Sequence, residues 1–354
     1  MFPPYHGRDE DYMRMALELA ELGRGFVSPN PMVGAVIVRR GRVVGVGYHR
    51  RYGDKHAEVR AIEDAGPSAR GGTMYVTLEP HNFYGKQPPC TDAIVEAGIK
   101  RVVVGALDPN PRVRGGGVKA LRKAGIEVVV GILEEEVRRQ NEVFFTFHEE
   151  GRPFVALKMA ITLDGRIADG WGRSKWITGE EARKRVHLLR SQYDAILVGA
   201  GTVRADDPAL TVRHTFTERQ PIRVVLTRSG NVPCDARVFS DGGRTLLLHV
   251  GDVPCTFGSN VRKVKFSGDV AELMQILREN GITSVMVEGG KEVFTTFMMD
   301  GTVDRLLVFV APKLIGGDIG VLAESLPIGG GLEYHLDAIE RVGGDVLINL
   351  RRKG

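Results

Sequence analysis

Three side chains of the kind that bind zinc, and one carboxylate, fall close together in the first ninety residues: His56 and Glu58 in HAEVRAI, His81 directly after Leu78-Glu79-Pro80, and Cys90 after Pro88-Pro89. Imidazole and thiolate are ordinary zinc ligands, and three protein ligands with one open position make a catalytic rather than a structural site. Zinc in such a site would lower the pKa of a bound water to about 7. A neighbouring carboxylate that is not a ligand could then carry protons to and from a reacting group. His56, His81 and Cys90 are therefore the candidate ligands, and Glu58 the candidate catalytic acid and base. The bland alternatives are plain: H-x-E arises by chance, a lone buried cysteine is usually a small hydrophobe, and His81 could be only a loop histidine.

Such a site needs rigid elements to hold it. HAEVRAIEDAG reads as a helix with His56 and Glu58 in its first turn, and TMYVTL as a strand that delivers Glu79-Pro80-His81. A helix over Thr91 to Ala97 is opened by Cys90, where free N–H groups and the helix dipole favour a thiolate and the prolines suit the approach. Around these lie an amphipathic helix from Asp9 to Leu22, a hairpin of MVGAVIV and RVVGVGY about Arg39-Arg40-Gly41, the strands RVVVGAL and IEVVVGI, and the helix VKALRKAG, entered through Gly115 to Gly117. Helices alternating with short buried strands imply an α/β layer whose sheet is largely parallel.

The stretch from Glu134 to about Gly151 has helical character that decays into a polar connection, so we divide the chain into domains at 1–147 and 148–354. Two domains also suit 354 residues at about 150 residues per domain. The second half restarts the alternation: PFVALKMAI as a strand, a capping box over Thr178-Gly-Glu-Glu181 before ARKRVHLLRSQ, then DAILVGAG, IRVVLT, RTLLLHV, SVMVEGG and RLLVFVAP as strands. In SVMVEGGKEVFTTF a strand runs through Gly289-Gly290 into a helix, which lets a cofactor phosphate approach the helix start closely. No G-x-G-x-x-G is placed as a Rossmann fingerprint.

With 43% apolar and 26% charged residues the chain has the composition of an ordinary globular protein. A net charge of +4, from 48 basic and 44 acidic side chains without long like-charge runs, gives no basic footprint for nucleic acid. The N-terminal stretch carries acids among its apolar positions, unlike a signal peptide, and no apolar run is long enough to span a membrane. Cys90, Cys234 and Cys255 are too few for a disulfide framework, which points to a reducing cytoplasm.

The order H-x-E, then a proline-preceded ligand, then a cysteine is the logic of the zinc deaminases. SPNPMVGAVIV, HAEVRAI, YVTLEP, YGKQPPC and DPNP, followed by KMAITLDGRIA, SKWITG, LLRSQYDAILVGAGTVRADDPALTVR and VEGG, together resemble in order and spacing the RibD family of bifunctional riboflavin biosynthesis proteins over nearly the whole chain. The resemblance implies an α/β protein: an N-terminal cytidine-deaminase-like α/β/α domain, then a dihydrofolate-reductase-like α/β domain. It implies deamination of 2,5-diamino-6-ribosylamino-4(3H)-pyrimidinone 5′-phosphate, then NADPH-dependent reduction of the ribosyl group to ribityl. Zinc and NADPH are the implied cofactors, phosphorylated aminopyrimidines the small-molecule partners, and a homo-oligomer, dimer or tetramer, the implied assembly. Nucleic acid and membrane are not expected partners.

Matched to the family, Asn30, Asp108 and Asn110 hold the pyrimidine and Lys86 the phosphate, although S-P-N-P and D-P-N-P are strong turn formers in their own right. Ala160, Trp176, Thr202, Asp206 and Ser229 fall on the cofactor side, with Gly289 and Gly290; Ser174, Arg190, Leu210, Arg213 and Glu288 fall on the substrate side. Arg190 and Arg213 suit phosphate because a guanidinium fork binds its oxygens bidentately, while Lys158, Lys175 and Arg204 near these contacts favour NADPH over NADH. One departure stands out: the family has cysteine where this chain has His81, so a zinc site here carries a formal charge of one positive unit where the family's is neutral. Two rivals remain: a tRNA deaminase, which would want a basic face and no reductase half, and a reductase with a non-catalytic deaminase-like domain.

Overall fold

The computed structural model describes residues 7–324, 326 and 331–353. Residues 1–6, on which the signal-peptide reading partly rests, lie outside the described residues. The chain divides into two units, Met1–Gly151 and Arg152–Gly354.

The first unit runs α1 (Asp9–Glu21), β1 (Gly34–Arg39), β2 (Arg42–Tyr48), α2 (Ala57–Ala65), β3 (Thr73–Leu78), α3 (Cys90–Glu96), β4 (Arg101–Ala106), α4 (Gly116–Lys123), β5 (Glu127–Val130), α5 (Glu134–Gln140) and α6 (Glu142–Glu149). Its five strands are ordered β2-β1-β3-β4-β5, with β3, β4 and β5 parallel and β1 antiparallel to both of its neighbours, β2 and β3. Alternation along the strands decides the layers. Ile37, Met74, Val76, Val102 and Val104 face Ala57, Ala61, Ile94 and Leu121 of α2, α3 and α4. Val36, Tyr75 and Val103 face Tyr12, Met13 and Ala16 of α1. The helices are pressed on so closely that a Cβ at Gly47 of β2 would lie 2.4 Å from the carbonyl oxygen of Ala57, which fixes the turn carrying His56 and Glu58.

The second unit runs β6 (Phe154–Thr162), α7 (Glu180–Arg190), β7 (Ala195–Gly199), α8 (Ala200–Asp206), β8 (Ile222–Thr227), α9 (Arg237–Ser240), β9 (Thr245–His249), β10 (Val261–Lys265), α10 (Val270–Glu279), β11 (Ser284–Gly289), α11 (Lys291–Asp300), β12 (Arg305–Ala311), β13 (Tyr334–Val342) and β14 (Asp345–Arg352). Its nine-stranded sheet is ordered β10-β9-β8-β7-β11-β6-β12-β14-β13, parallel up to β12 and closed by the antiparallel β14 and β13. Val155, Leu157, Leu197, Val224, Leu246, Val285 and Phe297 anchor its core.

Two expectations need correction. The capping box at Thr178–Glu181 does not form: Gly179 is the N-cap of α7, and its N–H donates to Asp345 Oδ2 at 2.7 Å, so a partner from β14 does the work assigned to the glutamate. Nor are the cysteines all unpaired. Cys234 and Cys255 are joined by a disulfide, their Cα atoms 5.5 Å apart, because they follow the adjacent parallel strands β8 and β9. Three cysteines are too few for a framework but not for this single bridge. Among the described residues no helix is long and apolar enough to cross a membrane.

Gly117 generates a stability prediction. A Cβ there would lie 1.9 Å from the carbonyl oxygen of Pro80 and 3.2 Å from Glu79 Cγ. Replacing a helical glycine by alanine ordinarily gains up to about 1 kcal/mol, but a backbone clash of this kind costs on the order of 3 kcal/mol. Gly117→Ala should therefore lower the Tm of the first unit by several degrees in scanning calorimetry; an unchanged or raised Tm would show that α4 is free to shift away.

Candidate functional site

In the first unit, three element ends converge. His56 is the N-cap of α2, Cys90 the first residue of α3, and His81 follows the end of β3 by three residues. The ligand atoms of His56, His81 and Cys90 all lie within 4.8 Å of one another, with His56 Nδ1 at 3.3 Å from Cys90 Sγ and the two imidazole centroids 4.6 Å apart. Tetrahedral zinc at its usual bond lengths separates neighbouring ligand atoms by roughly 3.4–3.8 Å. Cys90 is 1% exposed, and His81 Nδ1 is buried without a hydrogen-bond partner.

The electrostatics fit a cation. Burial, then the charge of His81, holds His56 down at about 4, and burial also lowers His81, so both imidazoles are the neutral ligands a metal needs. Burial raises the Glu58 carboxyl, and burial together with Glu58 pushes the Cys90 thiol well up. That is the reverse of what a helix start alone would do to the thiol. Two acids buried side by side are costly as anions, and a divalent ion held by His56, His81 and Cys90 would offset that penalty. The residues present therefore fit zinc.

A pocket of about 380 Å³ opens over this centre, lined by His56, Glu58 and His81 and by all four residues expected to hold substrate, Asn30, Lys86, Asp108 and Asn110. Turn chemistry and pocket lining coexist here. Asp108 Oδ1 accepts the Asn110 N–H at 2.7 Å, and Asn110 Oδ1 accepts the Arg112 N–H at 3.1 Å. Burial, then the nearby Glu79, pushes the Asp108 carboxyl up to about 7. Lys86 lies at the rim, its Nζ 3.9 Å from the Tyr52 ring centroid.

Two residues of this pocket went unread in the sequence. His49 takes the Asn30 amide on Nε2 at 3.1 Å and directs Nδ1 to the Lys55 carbonyl at 3.3 Å; burial keeps it neutral, the form that can accept from Asn30. Glu79 is 4% exposed and accepts the backbone N–H groups of Asp108 at 3.3 Å, Gly115 at 2.9 Å and Val118 at 2.9 Å. A histidine in a strand-end loop and a glutamate before proline carry no local pattern, so only the tertiary arrangement reveals them.

In the second unit a larger cleft, about 1130 Å³, gathers every residue expected there: Ala160, Trp176, Thr202, Asp206, Ser229, Gly289 and Gly290 with Ser174, Arg190, Leu210, Arg213 and Glu288. Gly289 lets β11 meet α8, since a Cβ there would lie 2.9 Å from Thr202 Oγ1. Asp206 receives the Ser174 hydroxyl at 3.5 Å and the Lys175 ammonium at 3.4 Å. Trp176 is exposed at the mouth, stacked against Arg183 at 4.5 Å.

Arg190 is largely buried. Its fork is closed on Glu288, Nε–Oε1 at 2.5 Å and Nη2–Oε2 at 2.9 Å, while Nη1 donates to the Thr211 carbonyl at 3.0 Å. Lys158 stands 4.0 Å from the same carboxylate, largely buried, and burial lowers its pKa. Glu288 is held below its usual range: burial pulls upward, and Arg190 with Lys158 outweighs it. Arg213 is exposed and donates Nη1 to Thr211 Oγ1 at 3.0 Å.

Two family models match the two units. The cytidine and deoxycytidylate deaminase zinc-binding region matches residues 6–106, and the RibD C-terminal domain matches residues 153–348. The chain is 44% identical over 361 residues to the riboflavin biosynthesis protein RibD of Aquifex aeolicus, covering 97% of this chain and 98% of that protein. It is 41% identical to that of Escherichia coli, covering 97% and 99%. A solved Thermotoga maritima structure, a diaminohydroxyphosphoribosylaminopyrimidine deaminase/5-amino-6-(5-phosphoribosylamino)uracil reductase, is similar with a TM-score of 0.89 at 42% identity over 99% of both chains. Acinetobacter baumannii RibD is similar with a TM-score of 0.90 at 36% identity, covering 98% of this chain and 99% of that one. With an assembled His56, His81, Cys90 zinc site in one unit and a reductase cleft in the other, the chain belongs to the RibD family of bifunctional riboflavin biosynthesis deaminase/reductases.

Proposed function

We propose that the first unit hydrolyses the 2-amino group from 2,5-diamino-6-ribosylamino-4(3H)-pyrimidinone 5′-phosphate as ammonia, and that the second reduces the product with NADPH to 5-amino-6-ribitylaminouracil 5′-phosphate. The observation that carries the deaminase reading is the convergence of His56, His81 and Cys90 beside the buried Glu58, on the floor of a pocket ringed by Asn30, Asp108 and Asn110. Zinc, when bound, supplies an activated water at neutral pH. Glu58 would move the two protons of the attacking water one at a time, the first to the ring nitrogen and the second to the departing amine, which leaves as ammonia. His49 fixes the Asn30 amide so that its carbonyl end serves the pyrimidine, and Lys86 at the rim meets the phosphate. A reductase with a non-catalytic deaminase-like unit has no need of Glu58 buried beside a complete ligand set.

In the second unit NADPH supplies the hydride for the sugar carbon bonded to nitrogen. All the expected residues line this one cleft, and we assign Thr202, Asp206, Ser229, Trp176, Ala160 and Gly289-Gly290 to the cofactor and Ser174, Leu210, Arg213 and the Arg190–Glu288 pair to the substrate. Because Arg190 is closed on Glu288, Arg213 is the better phosphate partner of the two. Small, phosphorylated, water-borne substrates fit a cytoplasmic enzyme, which we propose acts as a dimer or tetramer; light scattering measures the latter directly.

Three outcomes are expected. Glu58→Gln should cut ammonia release by about 10³-fold and leave NADPH-dependent reduction of the deaminated substrate intact; loss of both activities in folded protein would mean the two sites are not independent. His81→Ala leaves two protein ligands where a catalytic zinc needs about three, so elemental analysis should find the metal lost, whereas His81→Cys should retain about one zinc per chain. Full zinc occupancy in His81→Ala would reduce His81 to a loop histidine. In the reductase assay, kcat/KM should be higher with NADPH than with NADH, and equal values would remove Lys158, Lys175 and Arg204 as the basis of selectivity.

A further inference from the structure

The wall of the reductase cleft from Pro208 to Arg213 has no regular secondary structure, and its buried Leu210 sits in the left-handed region at φ 53°. A branched side chain holds such a conformation only where its surroundings impose it. Three consecutive residues of the wall are each gripped by a different side chain. Arg190 Nη1 donates to the Thr211 carbonyl at 3.0 Å, and His187 Nδ1 accepts the Arg213 N–H at 3.2 Å. Between them Gln220 binds both backbone groups of Val212, Oε1 accepting its N–H at 2.7 Å and Nε2 donating to its carbonyl at 3.0 Å.

Gln220 differs from the other two. It is exposed, whereas Arg190 lines the cleft and His187 is buried in α7. Its amide treats Val212 as a neighbouring strand would, although the two residues are joined only by the excursion through His214 and Phe216. Its own place is secured from both sides. Pro221 follows it, is buried, and biases Gln220 to an extended backbone before β8 begins at Ile222. Arg219, immediately before it, is ion-paired with Asp194, whose carboxylate also takes the Thr283 N–H at 2.8 Å. Gln220 therefore joins the rigid foot of the sheet to an otherwise irregular wall.

We propose that Gln220 is a positioning residue for the reductase: without touching substrate, it sets Leu210 and Arg213 at the distance that the phosphorylated ribosyl group requires. The proposal rests on the reading that places Leu210 and Arg213 on the substrate side. The grips at Thr211 and Arg213 remain when Gln220 is changed, so the wall loosens rather than collapses. That predicts weaker substrate binding with the hydride step preserved.

The test is steady-state kinetics on the full chain with the deaminated phosphorylated substrate and NADPH. Gln220→Leu deletes both hydrogen bonds and should raise the substrate KM about tenfold, with kcat, the KM for NADPH and ammonia release unchanged. Gln220→Glu keeps the acceptor for the Val212 N–H but sets an oxygen against the Val212 carbonyl, so it should fall between Gln220→Leu and the parent and serves if the leucine variant folds poorly. An unchanged substrate KM in both variants, or a fall in kcat at constant KM, overturns the proposal. Arg213→Ala separates the two claims. If it raises the substrate KM while Gln220→Leu does not, Gln220 merely closes a surface loop. If instead it raises the KM for NADPH and leaves that for substrate alone, the substrate-side assignment itself fails.

Discussion

The carboxylate of Glu79 ties the deaminase pocket together. Its three backbone donors come from Asp108 and from the first turn of α4, and it stands two residues before the metal ligand His81. One buried anion thereby fixes the distance between the zinc side of the pocket and the loop expected to hold the pyrimidine. Charge-assisted bonds to N–H groups at a helix start are among the stronger hydrogen bonds a protein makes, and stripping the acceptor would leave buried donors unsatisfied. Gly117 follows from this contact, because a Cβ there would meet the Pro80 carbonyl, whereas Gly115 has open space and a left-handed backbone at φ 75°. The arrangement also has an electrical effect. Glu79 adds to burial in raising Asp108 to about 7.

The reductase cleft meets the opposite problem, burying basic side chains in its wall. Glu288 pairs with Arg190 through two bonds and stands near Lys158, so two basic groups share one carboxylate. A buried pair of this kind adds little to stability, since desolvation offsets attraction, but removing one partner leaves a costly uncompensated charge. The cluster is best understood as holding shape in place: it keeps the Arg190 fork closed on Glu288, while Arg213 stands exposed at the wall.

Much of this was legible in the sequence because the relevant signals are local. The helix start at Cys90 announces itself through Pro88-Pro89 and the one at His56 through a 3.6-residue apolar period, and the strands before them through β-branched runs. The unread parts depend on distant partners. β13 carries His335, Asp337, Glu340 and Arg341 on a sheet edge, so it shows no clean alternation, and β10 reads as polar for the same reason. The cap of α7 comes from Asp345, far along the chain, where a local motif suggested a self-contained box. His49 and Glu79 act through contacts to Asn30 and α4 that no spacing rule encodes. The Cys234–Cys255 bridge likewise follows from strand order, which places two loops side by side.

Strand order also explains why both pockets lie where they do. In the first unit β3 and β4 are parallel neighbours, so their carboxyl ends emerge side by side, and the segments that leave them begin with Glu79 to His81 and with Asp108. In the second unit the chain winds outward through β7, β8, β9 and β10, then returns to insert β11 between β7 and β6. At such a reversal the connections on either side leave in opposite directions, and a crevice remains outside the strand ends. The ends of β7, β8 and β11 supply Gly199, Ser229 and Gly289-Gly290 to the cleft, while the helices that follow β7 and β11 turn their amino ends toward it. Parallel strands force their crossings to the faces of the sheet and leave that edge open. The chemistry of each unit is thus gathered at one edge of its sheet, and the inner strands behind are largely apolar, with Lys158 on β6 and Glu288 on β11 among the exceptions.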